Sequence, residues 1–420
     1  MRATPRPSTF APFSIRAFRF QWPADLATSW AFEMETLILG WYVLVETQSV
    51  LLLTFFVSLQ HLGTLISPMF GVMGDRLGHR NVLCVMRGFY ALLATTLMTF
   101  TFLGVLTPVH VFILAGLLGL VRPSDIGMRA ALVGDTMPAP LLVGAMGVQR
   151  TTVDSAKIIG ALTGAGLVTA LGMGPAYLVV ASFYLTSVFL TLKAGAVRHR
   201  DSAAETTPPK ARASPWRDLK AGLAYVWNTP QLLALMLLAF LLNLTAFPVF
   251  NGLLPYVAKD IYVTDQRGLG FMVAGAAAGA LIGSLFMSRH GRVFQPGRVM
   301  IVGSFAWFAF LLVFAHVWDH VTGIVILFLA GLAQSVSQVP MAAMLLRTSD
   351  EQYRGRVMGI RMLVIYGNIP GLLLAGQLIP RIGYPLTASL YCVAGIVFTL
   401  LIALSWRRDV WRRDAPVNAR

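Results

Sequence analysis

The sequence has few charged residues for its length. Only 12% of its 420 residues are Asp, Glu, Lys or Arg, whereas 56% are hydrophobic, and the mean hydropathy is +0.70. A soluble domain carries about 25% charged residues, because its surface must face water. The shortage of charge therefore excludes an ordinary soluble protein and indicates a chain that lies largely in lipid.

Cysteine is also scarce, and the two cysteines present, Cys84 and Cys392, each lie inside an apolar run. They allow neither a disulfide framework nor a CxxC metal site, and the seven histidines form no HExxH pattern. A GxxxxGKS/T phosphate loop and a nucleophile elbow are absent from the sequence as well. We therefore expect neither an enzyme nor an ATP-driven pump, and no metal or cofactor.

The net charge of +15 at pH 7 is a feature of many nucleic-acid-binding proteins. Its distribution excludes that interpretation here, because the charges fall in clusters between long apolar runs. The N-terminal segment is basic, but no short apolar core with an A-x-A site follows it. We therefore expect a first helix that is retained, and not a cleaved signal peptide.

Long apolar runs dominate the chain. A helix needs about 20 residues to cross the hydrocarbon layer, and twelve such runs occur, six on each side of a polar stretch. They predict an all-α integral membrane protein with twelve transmembrane helices in two six-helix halves. The runs lie at about 22–45, 50–73, 82–105, 109–131, 141–171, 175–196, 231–257, 267–288, 299–317, 321–345, 357–379 and 385–405.

The polar stretch, residues 198–229, divides the chain into predicted halves at 1–197 and 230–420. Its first part contains Ser, Thr and a Pro pair, which predicts a flexible linker on the cytoplasmic side. Its second part, residues 215–227, predicts an amphipathic helix that lies either at the membrane surface or in solution as a short connector. The apolar face of this helix comprises Leu219, Leu223, Val226 and Trp227.

Lys and Arg are distributed unequally between alternate loops. With the N-terminus in the cytoplasm, nearly all of them fall on the cytoplasmic side, with Arg122 and Arg129 assigned to that end of the fourth run. The opposite side holds only Lys259, Arg267 and Arg381. This asymmetry follows the positive-inside rule and predicts that both termini are cytoplasmic.

Weak internal repetition supports two similar halves. A shift of 211 residues aligns Arg150 with Arg361, and a shift of 213 aligns residues 71–80 with residues 284–293. Two nearly equal offsets, each about half the chain, favour a parallel repeat of the kind found in transporters.

The string GVMGDRLGHR, residues 71–80, joins the second and third runs. Gly71 and Gly74 allow helices to approach closely, and Gly78 permits a tight turn. The string resembles the G-x-x-x-D-R-x-G-x-R loop of the major facilitator superfamily. Further stretches resemble the branch of that superfamily that contains the enterobactin exporter and related secretion and multidrug permeases. They are residues 40–49, 219–235 and 354–363.

The resemblance implies a conformational latch that holds the outward-facing state. In that family the loop Asp docks on the N-terminus of the eleventh helix, here Asp75 near residues 355–357, where a carboxylate is favourable. A loop Arg pairs with an acid on the fourth helix, here Arg76 or Arg80 with Asp125. The alternative is that the basic residues only set the topology. The latch residues are then Gly71, Asp75, Arg76, Gly78, Arg80, Asp125 and Arg361.

Two stretches depart from the patterns of drug antiporters. The fifth run reads GALTGA, residues 160–165, where those proteins often carry G-P-x-x-G-G. The R-x-x-x-G pattern of the fourth helix appears only approximately, as RPSDIG, residues 122–127. These departures bear on antiport and not on the fold.

Ionisable side chains inside a membrane each cost about 2.5–3.5 kcal/mol to insert and therefore mark candidate coupling sites. Glu33 and Glu35 have no cation near them in the sequence, and their spacing of two puts them on opposite helix faces. We expect Glu35 to exchange protons, or else to form only a structural hydrogen bond. Arg150, Asp154 and Lys157 share one face of the fifth run, where Asp154 either acts in coupling or is structurally paired.

Uncharged polar residues within the runs are candidate substrate contacts, with hydrogen bonding between helices as the alternative for each. They are Gln60, His61, Asn243, Gln334 and Gln338.

These features predict a secondary active transporter that works by alternating access and exports small amphipathic molecules, such as drugs or siderophore-like metabolites, in exchange for protons. The alternatives are a proton-coupled importer on the same fold, and a lipid-translocating or non-transporting membrane partner. We expect a monomer that crosses the cell inner (cytoplasmic) membrane many times and has no nucleic-acid partner.

Overall fold

The computed structural model describes residues 11–194, 215–290, 295–350 and 353–407. Within these ranges all regular structure is helical, which confirms the predicted all-α class. The first part of the predicted linker, up to residue 214, lies outside the described residues. The α-helices are α1 (Arg16–Thr47), α2 (Val50–Leu59), α3 (Ser67–Leu77), α4 (His79–Phe102), α5 (Pro108–Thr136), α6 (Ala139–Leu171), α7 (Met173–Lys193), α8 (Pro215–Asn228), α9 (Pro230–Leu241), α10 (Leu254–Tyr256), α11 (Gln266–His290), α12 (Pro296–Phe314), α13 (His320–Thr348), α14 (Arg354–Val364), α15 (Asn368–Ile382) and α16 (Tyr384–Ser405).

Nine of the described helical segments are long and apolar enough to cross a membrane, and the bent pair α2–α3 makes a tenth. Two further helices, α1 with 32 residues and α6 with 33 residues, exceed the required length but carry charged side chains in their interiors. The chain is therefore a multi-pass membrane protein with nine to ten candidate spans, and the total of twelve stays a prediction.

The chain forms two compact units. The first unit comprises Met1–Gln48 and Leu59–Thr206, and the second comprises Ser49–Ser58 and Thr207–Arg420. The units differ from the predicted halves because α2 groups with the second unit. Gly376 of α15 explains this grouping, since a Cβ added there would lie only 2.2 Å from Oγ1 of Thr54.

The second predicted run, 50–73, is not one continuous helix. α2 ends at Leu59, and α3 begins at Ser67 after a single 3-10 turn at Leu62–Thr64, with a bend of 49° between the two parts. Glycines bring the backbone of α5 directly against this break. A Cβ on Gly119 would lie 2.0 Å from the carbonyl oxygen of Leu59, and a Cβ on Gly63 would lie 1.9 Å from that of Leu120. The break therefore packs against the middle of α5.

The span that begins with α9 changes its helical form halfway. Beyond Leu241 the backbone winds as π-helix at Leu242–Ala246, Pro248–Gly252 and Val257–Ile261. Proline removes a backbone donor, and both Pro248 and Pro255 lie in this stretch. The predicted end of this run at about residue 257 is therefore too early, because the helical segment continues to Ile261.

The predicted amphipathic helix is present as α8, but its apolar face is divided. Val226 is 4% exposed, whereas Leu223 is 49% and Trp227 73% exposed. Gly222 faces α14, where a Cβ would lie 3.1 Å from side-chain atoms of Arg356 and Ile360. One side of α8 thus packs on the protein, and another leaves two large apolar side chains uncovered.

Tyrosine pairing fixes α8 to the segment that precedes α14. The rings of Tyr225 and Tyr353 stack with centroids 4.2 Å apart. The backbone N–H of Asp350 donates to Oη of Tyr225 at 3.1 Å. The second half of the predicted linker is therefore an ordered part of the second unit.

Candidate functional site

Two glutamates lie in the middle of α1 and face different neighbours. Glu35 is 2% exposed, and its Oε2 accepts a hydrogen bond from Oη of Tyr184 on α7 at 2.8 Å. Glu33 is half-buried and faces α6, since a Cβ on Gly160 would lie 2.8 Å from its Cβ. Their spacing of two in the sequence thus corresponds to two separate environments.

Arg122 is the central residue of α5 and not, as the charge distribution suggested, part of its cytoplasmic end. Its Nη1 donates to Oγ1 of Thr36 and to Oε1 of Gln60, both at 2.8 Å. Its guanidinium lies over the ring of Phe32, 4.6 Å from the centroid. Arg122 is also close enough to Glu35 for a Coulombic interaction, although the two form no described ion pair. The charge distribution of the sequence placed Arg122 at the cytoplasmic end of the helix and did not predict these contacts.

A second group of charges is fully buried in the first unit. Arg87 of α4 is ion-paired with Asp25 of α1 and donates to Thr191 of α7. Arg129 of α5 is ion-paired with Asp125, one turn away, and lies 3.8 Å from Asp25. We call Asp25, Arg87, Asp125 and Arg129 the buried charge cluster. Its two carboxylates and two guanidinium groups balance in charge.

The buried charge cluster changes the interpretation of Asp125. The resemblance implied that Arg76 or Arg80 pairs with it, but the described partner is Arg129, because Asp125 is 0% exposed within the helix bundle. Arg80 instead donates to Oδ1 of Asn81 at 3.0 and 3.2 Å. In this structure Asp125 belongs to the buried charge cluster and forms no described ion pair with Arg76 or Arg80.

A histidine links the loop between α3 and α4 to the end of α5. Nδ1 of His79 lies 2.6 Å from Oδ2 of Asp135, and its Nε2 lies 3.7 Å from Oδ1 of Asp75. Gly74 makes room for the imidazole, since a Cβ there would lie 2.5 Å from Cδ2 of His79. Gly78 has φ +85°, a left-handed conformation that favours glycine. The loop therefore contacts an acid on α5, as the family pattern implies, but through His79 and Asp135.

The charged face of α6 is only partly paired. Nε of Arg150 lies 3.1 Å from Oδ2 of Asp154, and the Arg150 side chain is 74% exposed. Lys157 is exposed and forms no ion pair among the described residues. Asp154, predicted to lie between two cations, therefore has one described cationic contact.

The remaining predicted contacts are dispersed over the two units. In the second unit, Asn243 donates to the carbonyl oxygen of Ala239 at 2.9 Å within the first π-helical turn, while Gln334, Gln338 and Arg361 are half-buried. In the first unit, His61 is half-buried in the turn after Gln60. Across the part of the chain that the structure describes, no group of three His, Cys, Asp or Glu could hold a metal ion.

These features define a helical, multi-pass membrane protein with buried intramembrane charges. Its fold is that of solved major facilitator transporters. The chain is similar to the peptide transporter PepTSo with a TM-score of 0.73 and 11% identity, over 95% of this chain and 99% of that one. It is similar to a bacterial homologue of the human lysosomal transporter Spinster with a TM-score of 0.70 and 13% identity, over 96% and 99%. At such identities the likeness shows the fold alone.

Sequence comparison assigns the chain to one family within this fold. The model of the transmembrane secretion effector family matches residues 7–416, and the chain belongs to this family of the major facilitator superfamily. The enterobactin exporter EntS of Escherichia coli O1:K1 is 28% identical over 153 residues, which is 36% of this chain and 36% of the relative. The protein is thus a membrane transporter of the major facilitator type, and the match to the exporter covers about a third of each chain.

Proposed function

We propose that this protein is a secondary active transporter that exports small amphipathic molecules, either drugs or siderophore-like metabolites, at the expense of the proton gradient. The observation that carries the proposal is Glu35, a buried carboxyl group in the middle of α1 whose described hydrogen-bond partner is the neutral hydroxyl of Tyr184. A carboxyl group held this way can carry a proton, whereas one in a tight ion pair would stay charged.

Membership of a secretion family and the partial likeness to an enterobactin exporter support export. The sequence has no phosphate-binding loop for ATP, so a gradient is the remaining energy source for uphill transport. The substrate class is proposed by analogy with that relative, since the alignment covers only 36% of its length.

In the proposed topology α1 and α6 also cross the bilayer, giving twelve spans with both termini in the cytoplasm of a monomer in the cell inner membrane. Residues 1–197 and 230–420 are the two halves that alternate access, and residues 198–229 are a cytoplasmic connection. The uncovered side chains of Leu223 and Trp227 support a place for α8 at the membrane surface, where Trp is favoured.

Inverted membrane vesicles with an acidic lumen test this function directly. An exporter coupled to protons should accumulate amphipathic dyes in the lumen, and the Glu35→Gln protein should lose this accumulation because it cannot carry the proton. Glu33→Gln is the matched control, since Glu33 lies on another face of α1, and it should retain accumulation. Dye fluorescence before and after collapse of the gradient is the measurement.

The same vesicles separate the alternatives. A proton-coupled importer would instead lower the dye content of the acidic lumen. Movement of labelled phospholipid without any dye transport would favour a lipid-translocating protein. Accumulation that is unchanged in the Glu33→Gln, Glu35→Gln and Asp154→Asn proteins would refute coupling through these carboxylates.

The proposed latch makes a separate prediction. Asp75→Asn should abolish transport while the protein still reaches the membrane, because the neutral amide lacks the negative charge that is stabilised at a helix N-terminus. Asp260→Asn, the same change at a carboxylate outside the latch, should leave transport unchanged. Membrane content by immunoblot and dye accumulation are measured together, and normal turnover of the Asp75→Asn protein would remove the latch from the mechanism.

A further inference from the structure

Three arginines lie in the interiors of α4 and α5 in the first unit, and their environments differ. Arg87 and Arg129 are 0% and 1% exposed, and both belong to the buried charge cluster, which supplies one carboxylate for each. Arg122 is only half-buried, and its described partners are neutral oxygens and an aromatic ring. Its charge is therefore the one of the three that no carboxylate neutralises by direct contact in the described structure.

Arg122 keeps much of its hydrogen-bonding capacity free. A guanidinium has five N–H donors, and the described bonds to Thr36 and Gln60 use only Nη1. Within the described ranges the donors on Nε and Nη2 have no partner, and neither does the amide nitrogen of Gln60. Nε and Nη2 of Arg122 are nevertheless not fully buried, whereas Nε of Arg87 is. An accessible set of N–H donors thus lies at the middle of α5.

The surrounding structure holds these donors in place. Gly119 precedes Arg122 by three residues, so it lies on the same side of α5, and its close contact with Leu59 fixes the broken span that carries Gln60. Phe32 covers one face of the guanidinium. The plane of the guanidinium is therefore set before any ligand arrives, which lowers the entropic cost of binding.

Glu35 interacts with Arg122 through Coulombic attraction, but the two residues form no described ion pair. Oε2 of Glu35 accepts a hydrogen bond from Oη of Tyr184 on α7. A cation in the middle of a membrane is costly and usually faces a partner or a cavity. An anionic ligand would supply such a partner to Arg122.

We propose that Arg122 and Gln60 form a subsite for an anionic group on the transported molecule, such as a sulfonate, carboxylate or phosphate, with the apolar part of the molecule outside it. The inference rests on the proposed transport function and adds a substrate class to it. An edge of the planar guanidinium offers parallel N–H donors, a geometry that suits two oxygens of an oxyanion and that lysine cannot reproduce.

Equilibrium dialysis of the full-length protein in lipid nanodiscs tests the subsite without requiring transport. The probes are 2-naphthalenesulfonate and neutral 2-naphthalenesulfonamide, which share the apolar ring. The wild-type protein should bind the sulfonate more tightly, and Arg122→Gln should lower the sulfonate affinity by about 10- to 100-fold, the range for hydrogen bonds to charged groups. Binding of the sulfonamide should be unchanged, which also shows that the variant is folded.

Two further variants decide what the charge of Arg122 does. Lys193→Gln removes another cation that lies over an aromatic ring, Phe189, in the same unit, and should leave sulfonate binding intact. The neutral double variant Glu35→Gln/Arg122→Gln should bind the sulfonate as weakly as Arg122→Gln alone. Recovery of binding in the double variant would mean that Arg122 serves only as a counterion for Glu35, and the proposal would be wrong.

Equal affinity of the wild-type protein for the two probes would also overturn the subsite. Should Arg122→Gln fail to fold, Gln60→Leu replaces it with a smaller expected loss, and unchanged sulfonate binding in that variant contradicts the proposal. Failure of the proposed transport function has a different signature, since dye accumulation would be lost from the wild-type protein while selective sulfonate binding persists.

Discussion

The Asp25→Leu protein is expected to fold poorly or not at all, because the change leaves a buried arginine without its counterion. Asp25 is 3% exposed and is ion-paired with Arg87, which is 0% exposed. Removing one partner of a buried pair costs about 3–5 kcal/mol, whereas a folded domain is stabilised by only about 5–15 kcal/mol. Arg129, 3.8 Å from Asp25, loses a second interaction.

The measurement is the amount of monodisperse protein that survives heating in detergent. A matched double variant, Asp25→Leu/Arg87→Met, removes the pair together and leaves Asp125 and Arg129 balanced. Replacing both members of a buried pair with apolar residues of similar size is often neutral, so this protein should recover most of the stability. A single variant as stable as the wild type, or a double variant less stable than the single, would contradict the assigned role.

The buried charge cluster also bears on the proposed transport cycle. It joins α1, α4 and α5 through ion pairs, and Thr191 adds α7 through its bond with Arg87. Four helices tied together in this way would move as one body, which is what rocking of a half in alternating access requires. Glu35 and Arg122 lie outside these ion pairs, which agrees with their proposed roles in proton and ligand binding.

Long apolar runs were sufficient to predict most helices, but not their continuity. The stretch 50–73 is mostly apolar, carries no charged residue, and contains Gly63 and Pro68. Membrane helices tolerate both residue types, so their presence could not indicate the break between Leu59 and Ser67. The break depends on close packing against Gly119, which is a tertiary contact and leaves no mark in the local pattern.

The candidate site was predictable only where partners are close in the chain. The Arg150–Asp154 pair follows from a spacing of four. The pairing of Arg87 with Asp25 joins residues 62 positions apart, and that of His79 with Asp135 spans 56. Nothing in one sequence selects these distant partners among the available charges. Arg129 lies only four residues from Asp125, but the family resemblance directed Asp125 to a loop arginine instead.

Gly279→Ala should be the most disruptive single-methyl change in the second unit. A Cβ on Gly279 of α11 would lie 1.8 Å from the carbonyl oxygen of Phe328 on α13, and a Cβ on Gly331 of α13 would lie 2.0 Å from that of Ala276. Both obstacles are backbone atoms, so no side-chain rotation relieves the clash. The two helices must separate, and we expect a loss of more than about 2 kcal/mol of stability.

Helix propensity alone predicts that Gly279→Ala raises the stability, so the experiment distinguishes the two effects. Alanine in place of glycine stabilises an unobstructed helix by about 1 kcal/mol, and Gly88→Ala in α4 supplies that control, since nothing lies within 4 Å of its added Cβ. Thermal unfolding of the two proteins, followed by size-exclusion chromatography, should show Gly279→Ala well below the wild type and Gly88→Ala at or above it. If both variants unfold at the wild-type temperature, α11 and α13 do not pack backbone to backbone. The close contact that small residues permit between membrane helices would then not be what holds these two helices together.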